Sequence, residues 1–203
     1  MTPDTTDNNV DNDLTISFDE DAVWNSKVTA IRVGDTVLDD GQYTITNGQL
    51  TIKEGVIQTP GNYTITVEAT GYQDASVVQT VNVGEFSTVQ STAVLSPDPE
   101  DWVYLPDTNE LKLTAKDQYG NTIQGYLFKA KVKIVNQENS DVIMDVDGTS
   151  YTCPANQTMV FPVVNLASAT DEDGDVTVHF AVQPGQYSYR LDIFLNDGET
   201  MFW

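Results

Sequence analysis

The chain has 203 residues, 31 of them Asp or Glu against 9 Lys or Arg, for a formal net charge of −22. So acidic a chain argues against nucleic acid, whose binding rests on neutralising phosphates with Lys and Arg. The same reasoning argues against anionic membrane surfaces, and no run of about eighteen apolar residues offers a membrane-spanning helix. A single cysteine, Cys153, leaves no disulfide within the chain, which for an exterior β-protein leans towards a bacterial origin.

In chain order, residues 1–13 hold Thr, Asn and Asp with almost nothing apolar, the composition of a flexible acidic linker. From Leu14 short apolar runs alternate with turn residues: 14–18, 28–33, 37–38, 43–46, 50–52, 63–69 and 77–83. Asn47-Gly48, between Tyr-Thr-Ile-Thr and Gln-Leu-Thr-Ile, predicts a two-residue hairpin of the primed type with positive φ at both positions. Within 63–69 the residues Tyr63, Ile65, Val67 and Ala69 fall on one face, the period-two pattern of a strand with one side on a core. No run has sustained helical spacing.

Several of these motifs in order carry a resemblance: Trp24, Val28-x-x-Ile31-x-Val33, Tyr43-Thr44-Ile45, Leu50-Thr51-Ile52, Gly61-Asn62-Tyr63-Thr64-Ile65-Thr66-Val67, Ala69-Thr70-Gly71-Tyr72 and Val78-Gln79-Thr80-Val81. Residues 14–83 resemble the haemoglobin-interacting domain of streptococcal haem-uptake receptors. That family, formerly of unknown function, also occurs as tandem modules in Gram-positive surface and S-layer-type proteins. The resemblance implies a small β-domain, with haemoglobin or another host protein as a partner.

Beyond Gly84 a crossing and a first strand precede runs at 110–116, 126–135, 142–146, 149–153, 159–166, 176–182, 187–195 and 200–203. The segment Leu111 to Asn121, ending Asp117-Gln118-Tyr119-Gly120-Asn121, resembles a strand and loop of bacterial immunoglobulin-like surface domains. The expected fold class is all-β, two tandem immunoglobulin-like β-sandwiches: a linker over 1–13, a small sandwich over 14–85 and a second over 86–203.

Tyr63 and Tyr187 each follow a Gly by two places in a penultimate strand, where a tyrosine corner ties a strand to the preceding turn. The run 187–193 places Tyr187, Tyr189, Leu191 and Ile193 inward. Asp171, Asp173 and Asp175 make the densest carboxylate loop and the candidate calcium site, although the spacing fails the EF-hand pattern and suits a plain Asp-Gly turn. Asp11, Asp13, Asp19, Glu20 and Asp21 form a looser acidic cluster. Lys129, Lys131 and Lys133 alternate with Ala130, Val132 and Ile134, a basic row suited to an acidic neighbour or to guarding a sheet edge. Trp102 and Tyr104, with Trp24, offer rings for sugar stacking or for closing a sandwich end. Pro162 within 159–164 marks an edge strand.

With one His, catalytic triads, paired-His zinc sites and bis-His haem ligation are unavailable, and no Gly-x-Ser-x-Gly elbow or phosphate loop is present. No enzyme is expected. The expected function is a structural or interaction module of an exported bacterial cell-surface protein, of S-layer or adhesin-stalk type, partnered by neighbouring domains or copies. The alternatives are binding of haemoglobin or another host protein by the first domain, carbohydrate binding, or a phage virion decoration. The polar start of the chain carries no secretory signal, so the sequence reads as a segment of a longer extracellular protein.

Overall fold

Alternation of apolar and polar residues writes most of the first half: β1 (Leu14–Ser17), β2 (Val28–Val33), β3 (Thr36–Val37), β4 (Tyr43–Thr46), β5 (Gln49–Ile52), β6 (Gly61–Ala69) and β7 (Ala75–Val81). The strands pair as two antiparallel sheets, ordered β1-β5-β4 and β3-β2-β6-β7. Leu14, Ile16, Leu50 and Ile52 of one sheet and Ile31, Ile65, Val67 and Val81 of the other are buried, so each sheet turns one face to a shared core. In this computed structural model residues 1–96, 109–182 and 187–203 are described. They fall into two units, Met1–Glu85 and Phe86–Trp203.

Among the described residues the one helix, α1 (Ala22–Asn25), is a single turn that sequence periodicity did not announce. Asp21 caps it, its Oδ1 accepting from the amides of Val23 and Trp24 at 2.9 Å each. The turn sets the Trp24 ring edge-on against Phe18, centroids 5.2 Å apart. Between β4 and β5 the hairpin forms with Thr46 opposite Gln49, but Gly48 alone has positive φ, at 93°, so the turn is not the expected primed type. Contacts from the 18–20 segment shape it: the Phe18 amide donates to the Gly48 carbonyl at 3.0 Å, and Glu20 lies against both turn residues.

The second unit contains β8 (Thr92–Ser96), β9 (Asn109–Thr114), β10 (Lys129–Asn136), β11 (Val142–Val146), β12 (Thr149–Cys153), β13 (Thr158–Val160), β14 (Val164–Asn165), β15 (Asp175–Val182) and β16 (Tyr187–Phe194). One sheet runs β12-β11-β15-β9-β8. In the other, β10 is central, with β16 on one side and β13 and β14 in succession on the other. Asp147-Gly148 between β11 and β12 is the primed turn, with φ of 46° and 76°. Phe128, Leu111, Leu113, Ile134, Met144, Val178 and Ile193 fill the core between the sheets. The rings of Phe86, Tyr126, Phe128 and Phe202 close one part of it, with successive centroids 4.7 to 5.7 Å apart.

Residues 1–13 correct the expectation of a flexible linker. Thr2 bridges to Ser17 beside β1, Asn9 bridges in parallel to Asn82 just past β7, and Val10 is 1% exposed. The segment therefore crosses from one sheet of the first unit to the other. Its polar composition hides this because hydrogen bonds, rather than apolar burial, hold most of it.

Candidate functional site

Gln79 sits on the inward side of β7 with no exposed surface, a polar side chain in a core position. Its Nε2 donates to the carbonyls of Asp4 and Thr80 at 2.9 and 2.8 Å, and its Oε1 accepts from the Asp4 amide at 2.7 Å. Asp4 in turn accepts from the Thr15 amide at 2.8 Å through Oδ2. A buried amide with donor and acceptor both engaged is a fastener, and here it joins the start of the chain to both sheets.

The looser acidic cluster does not converge. Asp11 accepts from the Glu85 amide at 2.6 Å, Asp13 from the Glu54 amide at 2.8 Å, Glu20 from the Asn47 side chain at 3.4 Å, and Asp21 caps α1. These four carboxylates each satisfy a different stretch of backbone or turn. Tyr63 lies on β6, and its hydroxyl donates to the Thr59 carbonyl at 2.7 Å across the Pro60-Gly61 turn. Trp102 and Tyr104, and the side chain of Tyr187, lie outside the described residues. Tyr189 corrects an expectation. Although opposite buried Ile134, it is 44% exposed, with the Phe180 ring 6.4 Å away.

In the acidic loop of the second unit, Asp171 Oδ1 accepts from the amides of Asp173 and Asp175 at 3.0 and 2.9 Å, which folds the loop on itself. Asp175 turns instead to β9, where it accepts from the Thr114 hydroxyl at 2.6 Å and pairs with Lys112 at 2.6 Å. Partial burial pushes the Asp175 carboxyl up, but the bonds from Lys112 and Thr114 outweigh it and hold the group below its ordinary range. The same bond raises the Lys112 ammonium. The structure thus does not bring Asp171, Asp173 and Asp175 together around a point. Among the described residues no group of three or more His, Cys, Asp or Glu is placed to hold a metal ion.

Asp117 of the Asp-Gln-Tyr-Gly-Asn loop is buried and takes the amides of Tyr119 and Asn121 at 2.9 Å each, a turn-holding role. His179 is on the outer face of β15, 3.6 Å from Glu110 across the strand. Cys153 is buried, its Sγ 3.3 Å from the Gln157 carbonyl. A cavity of about 90 Å³ between Ala130, Val146, Tyr151 and Leu166 is well short of the several hundred Å³ that a drug-sized ligand needs.

Lys129, Lys131 and Lys133 point out of the second unit's sheet while Ala130, Val132 and Ile134 are buried. Because β10 has neighbours on both sides, the lysines stand in the middle of a sheet face and guard no edge. The edge on one side belongs to β13 and β14, which are interrupted at Phe161-Pro162-Val163. Among the described residues the ion pairs are Arg32–Glu68, Lys112–Asp175, His179–Glu110 and Arg190–Asp192, none of which involves these three lysines.

The described residues are therefore all but entirely β, two units each built of two antiparallel sheets, with the polar groups traced above spent on turns and strand ends. Residues 1–82 match the family model of the heme-binding protein Shr-like, Hb-interacting domain. No curated protein matches the chain. Among solved structures, a Bacteroides ovatus mixed-linkage glucan utilisation protein, SGBP-B in complex with a heptasaccharide, is 12% identical with a TM-score of 0.28 over 88% of this chain and 48% of its own. Murine CEACAM1b is 12% identical with a TM-score of 0.29, over 92% and 86%. The secreted serine protease VesC of Vibrio cholerae is 9% identical with a TM-score of 0.22, over 88% and 46%. The chain spans about half the length of the first of these.

Proposed function

We propose that this chain is a non-catalytic protein-binding part of a bacterial surface protein, and that its first unit binds haemoglobin. The observation that carries the reading is the family match over residues 1–82, which takes in nearly the whole of Met1–Glu85, the folded N-terminal segment included. The mode of binding is recognition of the globin rather than capture of its haem. The first unit contains no His and no Cys, the commonest axial ligands, and the Tyr63 hydroxyl is held by Thr59. Without His or Cys, and with Tyr63 engaged, no haem site is assigned to the first unit. No helix of the described residues is long and apolar enough to cross a membrane.

The test is calorimetric titration of the full chain into haemoglobin, followed by absorbance spectra of the separated proteins. Saturable heat is expected, with the Soret absorbance remaining in the globin fraction. Absence of heat at high micromolar concentration refutes binding, and Soret absorbance moving to this chain refutes the globin-only mode.

A further inference from the structure

We infer that the outer face of β10 and β16 is a docking surface for an acidic polypeptide, distinct from the first unit's binding role. Four of the chain's nine basic residues, Lys129, Lys131, Lys133 and Arg190, stand on this face. Along β10 the lysines recur every second residue, which spaces them about 6.6 Å apart.

Lys133 lies directly opposite Arg190 in the β10–β16 register. Like charges in cross-strand positions disfavour a sheet, and with 31 carboxylates available in the sequence a neutralising neighbour would be the ordinary arrangement. Asp192, opposite Lys131, bonds to Arg190 instead. With Asp192 on Arg190 and Asp197 near Lys129, two carboxylates stand against four cations, so the face keeps a net positive charge on a chain of net charge −22, which suits an acidic partner.

The row has apolar neighbours. On one side Lys133 pairs with Val160, 54% exposed. On the other, Arg190 Nη2 lies 3.6 Å from Met201 Sδ, and Met201 is also 54% exposed. Val160 beside Lys133, and Met201 within reach of the Arg190 side chain though bridged to Phe194 further along β16, put apolar side chains next to the cations. That arrangement suits an extended protein segment with carboxylates at two-residue spacing and apolar residues beside them. A long polyanion such as a sulfated glycan fits worse. Three lysines span only about 13 Å, and a longer chain must run on over a molecule of net charge −22.

The experiment titrates the full chain into a rhodamine-labelled peptide of alternating Glu and Val at low ionic strength, read by fluorescence anisotropy, beside a Gln/Val control. Saturable binding to the Glu peptide alone is expected, falling steeply with added salt. Lys131→Glu with Lys133→Glu weakens it by roughly tenfold or more, and the milder Lys131→Gln with Lys133→Gln weakens it less, while both keep the parent circular dichroism spectrum and melt no lower than the parent. Lys27→Glu with Lys53→Glu in the first unit leaves binding unchanged. Peptide binding that survives both β10 variants overturns the assignment. So does heparin binding lost in those variants without peptide binding, which gives the face to a sulfated glycan, or a dimer in sedimentation that they dissolve, which gives it to a second copy.

Discussion

Replacing Gln79 by Leu tests whether the start of the chain is part of the first sandwich. Leu keeps most of the volume at a fully buried site and removes three hydrogen bonds, two from Nε2 to the Asp4 and Thr80 carbonyls and one to Oε1 from the Asp4 amide. If residues 1–13 stay in place, the Asp4 amide and carbonyl are left without these partners, and three lost bonds at about 1 kcal/mol each set the scale. If they peel away, Val10 loses its burial, itself worth about 1.5–3 kcal/mol, and the Thr2–Ser17 and Asn9–Asn82 bridges go with it. Either route destabilises the first unit by roughly 2–4 kcal/mol, which for a domain of this size lowers its melting temperature by roughly 10 °C or more. Calorimetry of the full chain gives the shift. Amide hydrogen exchange places it: Thr2, Val10 and Thr15 should lose protection before β2 and β6. An unchanged transition with Thr2 and Val10 already unprotected in the parent protein would refute the reasoning and return residues 1–13 to a loose tail.

Three further expectations follow from local geometry. Tyr63→Phe removes the bond to the Thr59 carbonyl at an exposed turn, so it should cost about 1 kcal/mol in chemical denaturation; no loss would deny the corner a stabilising role. Because Asp175 is held below its ordinary value of 3.8, its contribution is present above that value and lost as pH falls through the lower folded value. Asp175→Asn should flatten the acid limb of the second unit's stability profile, and an unaltered limb would show that the Lys112 and Thr114 bonds do not matter in solution. Millimolar calcium should leave the melting curve in place, since Asp171 is engaged within its loop and Asp175 is engaged with β9; a rise abolished by Asp173→Ala would restore the calcium reading.

The strands were legible because period-two patterning is written directly in the residues that make the core. Ile65 and Val67 of β6, or Val132 and Ile134 of β10, alternate with polar neighbours and are buried as the pattern requires. The bulge between Val28 and Ala30, the single turn of α1 and the non-primed Asn47-Gly48 turn were not legible. The turn is shaped by contacts from residues 18–20, and α1 is a single capped turn too short to show a helical period. Residues 1–13 escaped for a related reason: their partners, Ser17, Gln79 and Asn82, include residues more than seventy positions away, and a polar segment held by hydrogen bonds looks like a solvated one. At the lysine row, the sequence showed which face the side chains take. It did not show that β10 is central or that Arg190 stands opposite Lys133, because those facts belong to strand order and register.

The parallel bridge between Asn9 and Asn82 has a mechanical consequence. The Val10 amide donates to the Asn82 carbonyl at 3.1 Å, the Asn82 amide to the Asn8 carbonyl at 2.8 Å, the Asn8 side chain to the Thr80 carbonyl at 2.7 Å, and the Glu85 amide to Asp11 at 2.6 Å. Tension applied before Asn8 and after Glu85 pulls two parallel segments in opposite directions, so these bonds are loaded in shear and must fail together. An antiparallel hairpin pulled from its two ends would open one bond at a time. The first unit is thus fastened at the place where a stretched chain would otherwise begin to unravel.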